Sequence, residues 1–311
     1  METIKVYCII VTYNGMRWVD RCLGSLRASS VKVHPIIIDN CSIDETVNYI
    51  REKYPEAYLV TNSDNKGFGQ ANNQGVEYAY KHGATHFFLL NQDAWIYTDT
   101  IYKLVEVQDK YNIGIVSPIH LSGAGNLLDY NYFLYSVIAD SNIEYVSDLI
   151  LNNKKSYYPV SKINAAAWML SRKTIELVGG FDPIFFHYGE DNNYCQRIAY
   201  HNAFIAFVPG AFIHHDRERK GNLAVFKKNA VLSMLLGEYG NVNKNIWMLD
   251  KIRLKMHFGY IKLGVVFVLQ LRLRDFGSLF MSYIAFIKKF PQLKRNIKIN
   301  RVTNHNWLEL G

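Results

Sequence analysis

The sequence predicts an α/β fold in which helices flank a mostly parallel sheet, followed by a basic helical C-terminal region. Two observations support this prediction: β-branched runs alternate with segments of helical periodicity, and four successive runs end in polar residues that include Asn or Asp. Right-handed crossovers bring the carboxyl ends of parallel strands to one edge of the sheet. Ligands bind at that edge, so we expect these polar side chains to share a site.

Two apolar runs predict the first strands. Val6–Thr12 is largely β-branched, as expected for a strand that is buried on both faces. A polar break follows it, and residues 18–29 have helical spacing. Val33–Asp39 is the second predicted strand, and Asp44 is placed to cap a helix that continues to residue 53.

The alternation continues through two more strands. Tyr58–Thr61 is a short third strand, residues 65–69 form a glycine-bearing loop, and residues 70–82 form the next helix. Residues 86–90 are the fourth strand, and the polar residues 91–93 end it. This order of elements favours βαβ units and a largely parallel sheet.

The polar strand ends lack the glycine-rich signatures of two common nucleotide sites. No G-x-G-x-x-G follows the first strand, which disfavours a dinucleotide site. Lys66-Gly67 lacks the glycine spacing and the Ser or Thr of a P-loop. A nucleotide bound here would be held through its base, its ribose or a metal ion on its phosphates.

Composition sets the broad class of the protein. Hydrophobic residues make up 49% and charged residues 20% of the chain, which excludes a disordered or fibrous protein. The four cysteines lack metal-finger spacing, so we expect buried free thiols. No signal peptide opens the sequence, and its apolar stretches are shorter than the roughly 20 residues of a spanning helix. These features predict a cytoplasmic location.

The positive charge is concentrated in the C-terminal third. Residues 1–215 contain 17 Lys and Arg against 21 Asp and Glu, a net charge of −4, whereas residues 216–311 contain 18 against 6, a net charge of +12. This asymmetry predicts a polyanionic partner for the C-terminal region. Residues 226–236 read as an amphipathic helix, and apolar runs at 252–273 and 276–290 are interspersed with Lys and Arg.

Such a pattern suits helices that lie in the plane of an anionic membrane surface. The alternative is a set of ordinary C-terminal helices that pack on the N-terminal domain with solvated Lys and Arg. A nucleic-acid partner is disfavoured because no known reader motif accompanies the charge.

Several motifs resemble family 2 glycosyltransferases, and most of all the bacterial rhamnosyltransferase-like members. They occur in the family's order and spacing across roughly residues 4–230: VTYN at 11–14, IIDNCSID at 37–44, NKGFGQANNQG at 65–75, LLNQDA at 89–94, GGFDPIFFHYGEDNNYCQRI at 179–198 and VPGAFIHH at 208–215. The resemblance implies a GT-A fold over residues 1–225, with a nucleotide-binding half at 1–115 and an acceptor-binding half at 116–225. The basic helical region would then cover residues 226–311.

The resemblance implies a metal site at the end of the fourth strand. A nucleotide diphosphate leaving group needs positive charge, commonly a divalent cation such as Mg²⁺ or Mn²⁺. Asp93 matches the metal-binding Asp of the family's DXD-like motif, which here reads Asn91-Gln92-Asp93, so an amide replaces the first carboxylate. The alternative is that Asp93 only caps the next turn.

A second metal ligand is implied near residue 215. Counting from Pro209, the family's metal- or phosphate-binding histidine falls on His215, with His214 as the second choice. Adjacent residues of a strand point to opposite faces, so one of the two histidines is expected to face the site.

The resemblance also implies the acid–base residues. Inversion needs a base that takes the proton of the acceptor hydroxyl. Asp191 matches the family's catalytic base, and Glu190 would contact the acceptor or donor sugar. The alternative is structural, since two acidic residues at the start of a helix also complement its dipole.

The remaining implied contacts divide between donor and acceptor. Asp39 would bind the pyrimidine base, and Tyr13 would stack on it. The implied donor-binding residues are Thr12, Tyr13, Asn14, Asp39, Asn40, Ser42, Asn65, Gly67, Phe68, Asn73, Asn91, Gln92 and Asp93. Trp168 and Arg197 are the implied acceptor-binding residues.

Together these features predict an inverting, metal-dependent glycosyltransferase of bacterial surface polysaccharide synthesis. Its donor would be dTDP-rhamnose or a UDP-sugar, and its acceptor a glycan or a lipid-linked sugar at the inner face of the cell membrane. Two alternatives remain at this point: a non-catalytic nucleotide-sugar binding protein, motivated by the missing first carboxylate, and a nucleic-acid-binding protein, motivated by the basic region alone. The sequence leaves the oligomeric state open.

Overall fold

The computed structural model describes residues 4–139, 142–217, 228–245, 273–304 and 306–310, together with Gly259 and Lys262. Within these residues, nine strands form one sheet. In chain order they are β1 (Val6–Thr12), β2 (Val33–Asp39), β3 (Tyr58–Thr61), β4 (His86–Asn91), β5 (Ala94–Ile96), β6 (Ile115–Ser122), β7 (Tyr158–Val160), β8 (Ala167–Ser171) and β9 (Ile205–His215).

Helices cover both faces of the sheet. They are α1 (Met16–Arg27), α2 (Thr46–Lys53), α3 (Phe68–Lys81), α4 (Thr100–Tyr111), the short α5 (Tyr130–Tyr132) that continues into a π-helical turn (Phe133–Ile138), α6 (Ile143–Ile150), α7 (Arg172–Val178), α8 (Glu190–Tyr200), α9 (Lys228–Tyr239) and α10 (Leu273–Asn300).

The sheet has the strand order β3-β2-β1-β4-β8-β6-β9-β5, and β7 pairs with β9. The first four strands pair in parallel, as predicted. Beyond β4 the sheet is mixed: β8 runs antiparallel to both β4 and β6, while β6 and β9 are parallel. The predicted α/β fold is confirmed, with parallel pairing concentrated in the N-terminal half.

The bounds of β1, β2 and β3 agree with the predicted ones. Helix α3 starts at Phe68, two residues before the predicted start, because Gly67 occupies the N-cap position with φ 81°. Strand β9 continues through Pro209 and Gly210. A register shift against β6 accommodates these two residues.

Two apolar clusters lie on the two faces of the sheet. In β1, Tyr7 and Ile9 belong to the cluster covered by α3, α7 and α8, whereas Val6, Cys8 and Ile10 belong to the one covered by α1, α2 and α4. Burial on both faces is the physical reason for the continuous β-branched run in this strand.

A third apolar cluster joins the C-terminal helices to the domain. Ile184 and Phe185, which precede α8, pack against α9 through Leu235 and against α10 through Phe286 and Leu293. The described parts of residues 226–311 therefore pack on the domain, while most of the predicted run at 252–273 lies outside the described residues. No helix within the described part of the chain combines the length and the apolar character needed to cross a bilayer.

Candidate active site

Asp39 is buried at the carboxyl end of β2 and is held by its neighbours. Thr12 Oγ1 donates a hydrogen bond to Asp39 Oδ1 at 2.8 Å, and the Ser42 backbone N–H donates to Oδ2 at 2.8 Å. Ser42 Oγ donates to Oδ1 at 2.5 Å. Each carboxylate oxygen accepts about two hydrogen bonds, so Oδ2 keeps room for one more donor.

Asn40 connects the end of β2 to the start of α3. Its Nδ2 donates to the Gly67 carbonyl at 3.2 Å, and its Oδ1 accepts from the Lys66 backbone N–H at 3.3 Å. Asn65 Oδ1 accepts from the Gly67 N–H at 2.9 Å, which closes a turn before the helix. These hydrogen bonds give the 65–67 loop one conformation.

Gly67 brings this loop against a second one. The Phe68 N–H donates to the Phe186 carbonyl at 3.3 Å, so the start of α3 touches the segment before α8. A Cβ on Gly67 would lie 2.1 Å from that carbonyl oxygen, and φ of 81° is a conformation that side chains disfavour. Only glycine permits this approach.

A cleft of about 420 Å³ opens at the strand ends. A volume of this size suits a small ligand. Eight residues implied by the resemblance as donor-binding line it, namely Tyr13, Asn40, Asn65, Gly67, Phe68, Asn91, Gln92 and Asp93. Val11, Trp18, Phe186 and His187 complete the lining.

Gln92 joins the ends of β1 and β4. Its Oε1 accepts from the Tyr13 N–H at 2.9 Å and its Nε2 donates to the Tyr13 carbonyl at 3.2 Å. Gly15 leaves the space for this side chain, since a Cβ there would lie 2.3 Å from Gln92 Oε1. The middle residue of the Asn91-Gln92-Asp93 motif thus has a structural role of its own.

Beside the cleft, His215 lies between two carboxylates. Its Nε2 is 3.4 Å from Asp93 Oδ1 and its Nδ1 is 3.5 Å from Asp129 Oδ2. His215 and Asp129 are buried, whereas Asp93 keeps 22% of its side-chain surface exposed. Asp93 is therefore the member of this group that reaches the cleft.

The pKa values of this group reflect the balance between burial and pairing. Burial opposes charge on the His215 ring, but the attraction of the nearby Asp129 and Asp93 carboxylates outweighs it and raises the pKa of His215. Burial also acts against the Asp129 carboxylate, yet His215 and the Tyr132 N–H lower its pKa to about 2. The pKa of Asp93 is lowered for the same reason, as pairing with His215 overcomes its burial.

His214 points to the opposite face of β9. Its ring stacks on Trp95 and on Tyr97, each with a centroid distance of 5.1 Å. The structure therefore brings His215, rather than His214, to Asp93, which agrees with the alternation of side chains along a strand.

The donor set of Asp93 and His215 fits a divalent cation. An imidazole nitrogen and a carboxylate oxygen suit Mn²⁺, and the buried His215 Nε2 has no hydrogen-bond partner of ordinary length among the described residues. No cluster of three or more His, Cys, Asp or Glu side chains among the described residues is arranged to hold an ion alone. A diphosphate would have to complete such a site, as is usual for Mg²⁺ bound with substrate phosphates.

Glu190 and Asp191 lie in the first turn of α8, which begins three residues after the cleft-lining His187. Glu190 is buried, and burial together with the nearby Asp191 charge raises its pKa to about 8. Asp191 is partly exposed, and its Oδ1 accepts from the Asn192 N–H at 2.7 Å. Near neutral pH, Glu190 is thus largely protonated, whereas the Asp191 side chain is partly exposed to solvent.

The two implied acceptor residues need correction. Trp168 is fully buried in β8, where its ring contacts Phe181 and Tyr194. Arg197 is also fully buried, and its Nη1 donates to the Gly180 carbonyl at 2.6 Å. Both side chains belong to the core, and an acceptor cannot reach them in this structure.

Asn73, implied above as a donor contact, has a structural environment as well. Its Oδ1 accepts from the Phe181 N–H at 2.7 Å, and its Nδ2 donates to the Phe181 carbonyl at 2.9 Å. A further contact runs from Nδ2 to the Trp307 carbonyl at 3.2 Å. Thr12, Asn14 and Ser42 do not line the cleft either. Their hydrogen bonds fix the position of Asp39 and of the loop that follows it.

Sequence reasoning missed Asp129 and Trp18. Asp129 follows β6 in a segment without a motif, and it reaches the site through the pairing of Leu121 with Leu128. Helical spacing predicts that Trp18 lies in a helix but does not predict a binding role. In the structure its Nε1 donates to Asp216 Oδ2 at 2.9 Å, and Trp18 lines the cleft. No local signal marks either role, whereas Phe186 and His187 lie inside a matched motif.

Solved structures of glycosyltransferases have the same fold. Staphylococcus aureus TarS 1–349, solved in complex with UDP-GlcNAc, matches with a TM-score of 0.60 at 15% identity, covering 97% of this chain and 89% of that one. The mannosyltransferase PcManGT from Pyrobaculum calidifontis, in complex with GDP-Man and Mn²⁺, matches with a TM-score of 0.56 at 16% identity, covering 92% and 88%. The GT-A fold expected from the motifs is confirmed.

Curated relatives resemble the chain in sequence. The dTDP-rhamnosyl transferase RfbF of Shigella flexneri is 22% identical over 215 residues, which cover 68% of this chain and 69% of RfbF. The N-acetylglucosaminyl-diphospho-decaprenol L-rhamnosyltransferase of Mycobacterium tuberculosis is 23% identical over 235 residues, which cover 68% and 76%. The family model "Glycosyl transferase family 2" matches residues 7–175. Because this match covers more than half of the sequence, the chain belongs to glycosyl transferase family 2.

Proposed function

We propose that this glycosyltransferase moves a sugar, with inversion, from a nucleotide diphosphate donor to a hydroxyl of a glycan or lipid-linked acceptor in bacterial surface polysaccharide synthesis. The observation that carries the proposal is the convergence of Asp39, Asp93 and His215 at one edge of the sheet, where Asp93 lines a cleft of about 420 Å³ and the other two lie buried next to residues of its lining. Our first choice of donor is dTDP-rhamnose, since the relative RfbF is named for that donor class. A UDP-sugar is the alternative.

Donor recognition is assigned to Asp39 and to the aromatic residues of the cleft. Asp39 is buried, so this contact requires the groups that cover its Oδ2 to move when the base binds; the remaining acceptor capacity of Oδ2 then suits the imide N–H of a thymine or uracil base. Tyr13 is half exposed beside it and offers a ring face for stacking. Both contacts serve thymine and uracil equally, so a panel of donors has to decide between the two bases.

A divalent cation would be held by Asp93 and His215, and it would neutralise the charge that develops on the leaving diphosphate. PcManGT was solved with both GDP-Man and Mn²⁺ bound, which supports the choice of a divalent ion. Among the described residues, the Asp93 carboxylate lies at the cleft and the His215 imidazole lies behind it. Both are placed to bind the cation.

Asp191 is our candidate for the catalytic base. It would take the proton of the acceptor hydroxyl while that oxygen attacks the anomeric carbon and the bond to the diphosphate breaks. Its accessibility favours it over Glu190, whose carboxyl is buried and has its pKa raised to about 8 by burial and by Asp191. Protonated Glu190 can instead donate a hydrogen bond to a sugar or to Asp191.

The test is transfer and donor hydrolysis with a panel of nucleotide sugars, with Mn²⁺ and with EDTA. We expect turnover that requires the metal ion, a loss of roughly 10²–10⁴-fold in kcat for Asp191→Asn, and a comparable loss for Asp93→Asn. Lys81→Gln, on the far end of α3, is the control. Binding of the nucleotide without any turnover would establish the non-catalytic alternative, and full turnover by Asp191→Asn would refute the base assignment.

We propose that the enzyme works at an anionic membrane surface through α10. Phe280, Met281 and Ile284 are exposed on this helix, one to two turns before the exposed Lys288. Apolar side chains beside a basic one suit the boundary between headgroups and acyl chains. The decaprenol-linked substrate in the name of the M. tuberculosis relative supports a lipid-linked acceptor.

Vesicle sedimentation tests this placement. We expect the double variant Phe280→Glu with Ile284→Glu to lose binding to phosphatidylglycerol vesicles. The matched control is Ile143→Glu with Ile150→Glu, which alters an equally apolar exposed face on α6 beside the acidic Glu144 and should retain binding. Equal binding of the α10 variant and the unaltered protein would contradict the proposal. Truncation after about residue 240 is less informative, because it also removes α10 from the cluster around Phe185.

A further inference from the structure

Asp129 lies in the connection between β6 and α5, and it is buried with 6% of its surface exposed. Its two oxygens have different partners. Oδ1 accepts the Tyr132 N–H at 2.8 Å and so caps α5, whereas Oδ2 lies 3.5 Å from His215 Nδ1. The capping oxygen satisfies the local backbone, so the second oxygen is left to face the histidine.

The two nitrogens of His215 face different groups. Nδ1 faces Asp129 and Nε2 faces Asp93, at 3.5 Å and 3.4 Å. A neutral imidazole carries one proton, and the partner of each nitrogen decides which of them holds it. A buried carboxylate beside Nδ1 accepts hydrogen bonds and cannot donate them, so it favours the proton on that nitrogen. Asp93 is itself a carboxylate, so the lone pair of Nε2 would face it only with a cation between them, whereas Asp129 keeps the proton on Nδ1 in either case.

We propose that Asp129 is a positioning residue for the cation site of Asp93 and His215: its carboxylate holds the proton on His215 Nδ1 and leaves Nε2 free to bind a divalent ion. This inference rests on the metal ion of the proposed function. Histidines that bind metals commonly donate their other N–H to a carboxylate, which fixes the tautomer and the ring orientation.

Two other described neighbours of His215 are not placed to hold the proton on its Nδ1. His120 is a neighbouring ring, with its centroid 6.1 Å away and its plane at 86°, and its Nε2 contacts Ser117 Oγ at 3.1 Å. Asp216 Oδ2 is bound to Trp18 Nε1. Among the described residues, Asp129 is thus the carboxylate that faces Nδ1.

Capping alone does not require an acidic residue at position 129. Asn and Ser cap helices about as well as Asp does, since each offers an oxygen to the N–H groups of the first turn. Asp129→Asn therefore separates the two roles. Its Oδ1 still accepts from the Tyr132 N–H, but an amide NH₂ facing Nδ1 would favour the proton on Nε2, where it blocks metal binding.

The experiment measures Mn²⁺ binding to the full chain by electron paramagnetic resonance, with and without UDP, and nucleotide binding in EDTA. For Asp129→Asn we expect Mn²⁺ affinity to fall by about 10- to 100-fold. The metal-free affinity for UDP should stay unchanged, and the thermal midpoint, lowered by loss of the Asp129–His215 charge pair, should remain above the temperature of the binding assay. The matched control is Asp109→Asn, because Asp109 Oδ1 lies 3.0 Å from His86 Nε2 in a separate Asp–His pair.

The outcomes distinguish this inference from the proposed function. Unchanged Mn²⁺ affinity in Asp129→Asn, with clear binding by the unaltered protein, would overturn the role of Asp129 and leave the metal site standing. Absence of Mn²⁺ binding by the unaltered protein would overturn the metal site, and with it the role of Asp129. An equal loss in Asp109→Asn would also overturn the inference, since the effect would then not be specific to the site.

Discussion

The Asp182 carboxylate accepts a hydrogen bond from Asn296 Nδ2 at 2.6 Å, although 114 positions separate the two residues. Asn300 Nδ2 donates to the other oxygen at 2.8 Å. Burial raises the pKa of Asp182, and these two amides partly compensate for the lost water. Helix α10 is therefore hydrogen-bonded to the segment that leads into α8 and the candidate base.

We predict that Asn296→Ala destabilises the protein. The substitution leaves one oxygen of a buried carboxylate with fewer donors, and such a loss costs about 1–3 kcal/mol. Urea unfolding followed by circular dichroism should show this decrease in the free energy of unfolding. Gln292→Ala, an exposed position on the same helix, is the control and should change stability by less than about 0.5 kcal/mol. Equal stability of the two variants would show that the amide does not support Asp182.

Gly67→Ala should both destabilise the fold and weaken donor binding. The added methyl group would lie 2.1 Å from the Phe186 carbonyl oxygen, so the two loops that line the cleft must separate. Gly83→Ala is a matched control, because Gly83 also has a positive φ, of 78°, but has open space around the position of a Cβ.

Thermal unfolding and UDP titration distinguish the two glycine variants. We expect Gly83→Ala to cost about 1–2 kcal/mol from backbone strain alone and to retain UDP affinity. Gly67→Ala should cost more than this and should reduce UDP affinity at least 10-fold. Similar results for both variants would mean that the contact with Phe186 has no energetic weight.

The raised pKa of Glu190 predicts that this residue makes the free energy of unfolding depend on pH. Burial and the Asp191 charge raise its pKa to about 8 in the folded protein, whereas an unfolded Glu titrates near pH 4.3. Between these values the folded state holds a proton that the unfolded state has released, so stability falls as pH rises. The slope is at most about 1.4 kcal/mol per pH unit.

Glu190→Gln removes this titration and should flatten the dependence. Urea unfolding at pH 5, 6, 7 and 8 measures it, and the difference between the unaltered protein and the variant isolates the contribution of Glu190. We expect the variant to gain stability relative to the unaltered protein as pH rises. Parallel curves would mean that Glu190 has an ordinary pKa in the folded state.

The N-terminal half of the fold follows from local sequence. Strand β1 could be predicted because burial on both faces requires a continuous apolar run. Strands β5 and β7 have three residues each, too few to show a period, and they depend on β9 for their pairing. The path of β9 through Pro209 and Gly210 depends on a register shift in its pairing with β6, which no local pattern reveals.

The site divides in the same way. Asp39 could be predicted because it ends β2, and Asp93 because it lies two residues after the end of β4. The topology brings these strand ends together. Asp129 could not, since it reaches His215 only through tertiary contacts. Arg197 shows the limit of motif spacing: it lies six residues after Asp191, on the buried face of α8, where burial lowers its pKa and backbone carbonyls bind it.

The burial of Trp168 leads to a last prediction, which tests whether this residue serves the core or the acceptor. Trp168→Phe keeps an aromatic ring next to Phe181 and Tyr194 and removes an indole N–H that has no hydrogen-bond partner in the part of the chain that the structure describes. The smaller ring leaves a cavity, so we expect a loss of about 1–3 kcal/mol in stability. The acceptor KM and kcat should stay within about twofold, because the folded population is still nearly complete.

Trp18→Phe is the informative comparison for this variant. Trp18 lines the cleft and donates to Asp216, so the same substitution there should raise the donor KM while stability changes less. Steady-state kinetics and urea unfolding of both variants give the two readouts. An increase in acceptor KM for Trp168→Phe at unchanged stability would restore the direct acceptor contact that its full burial argues against.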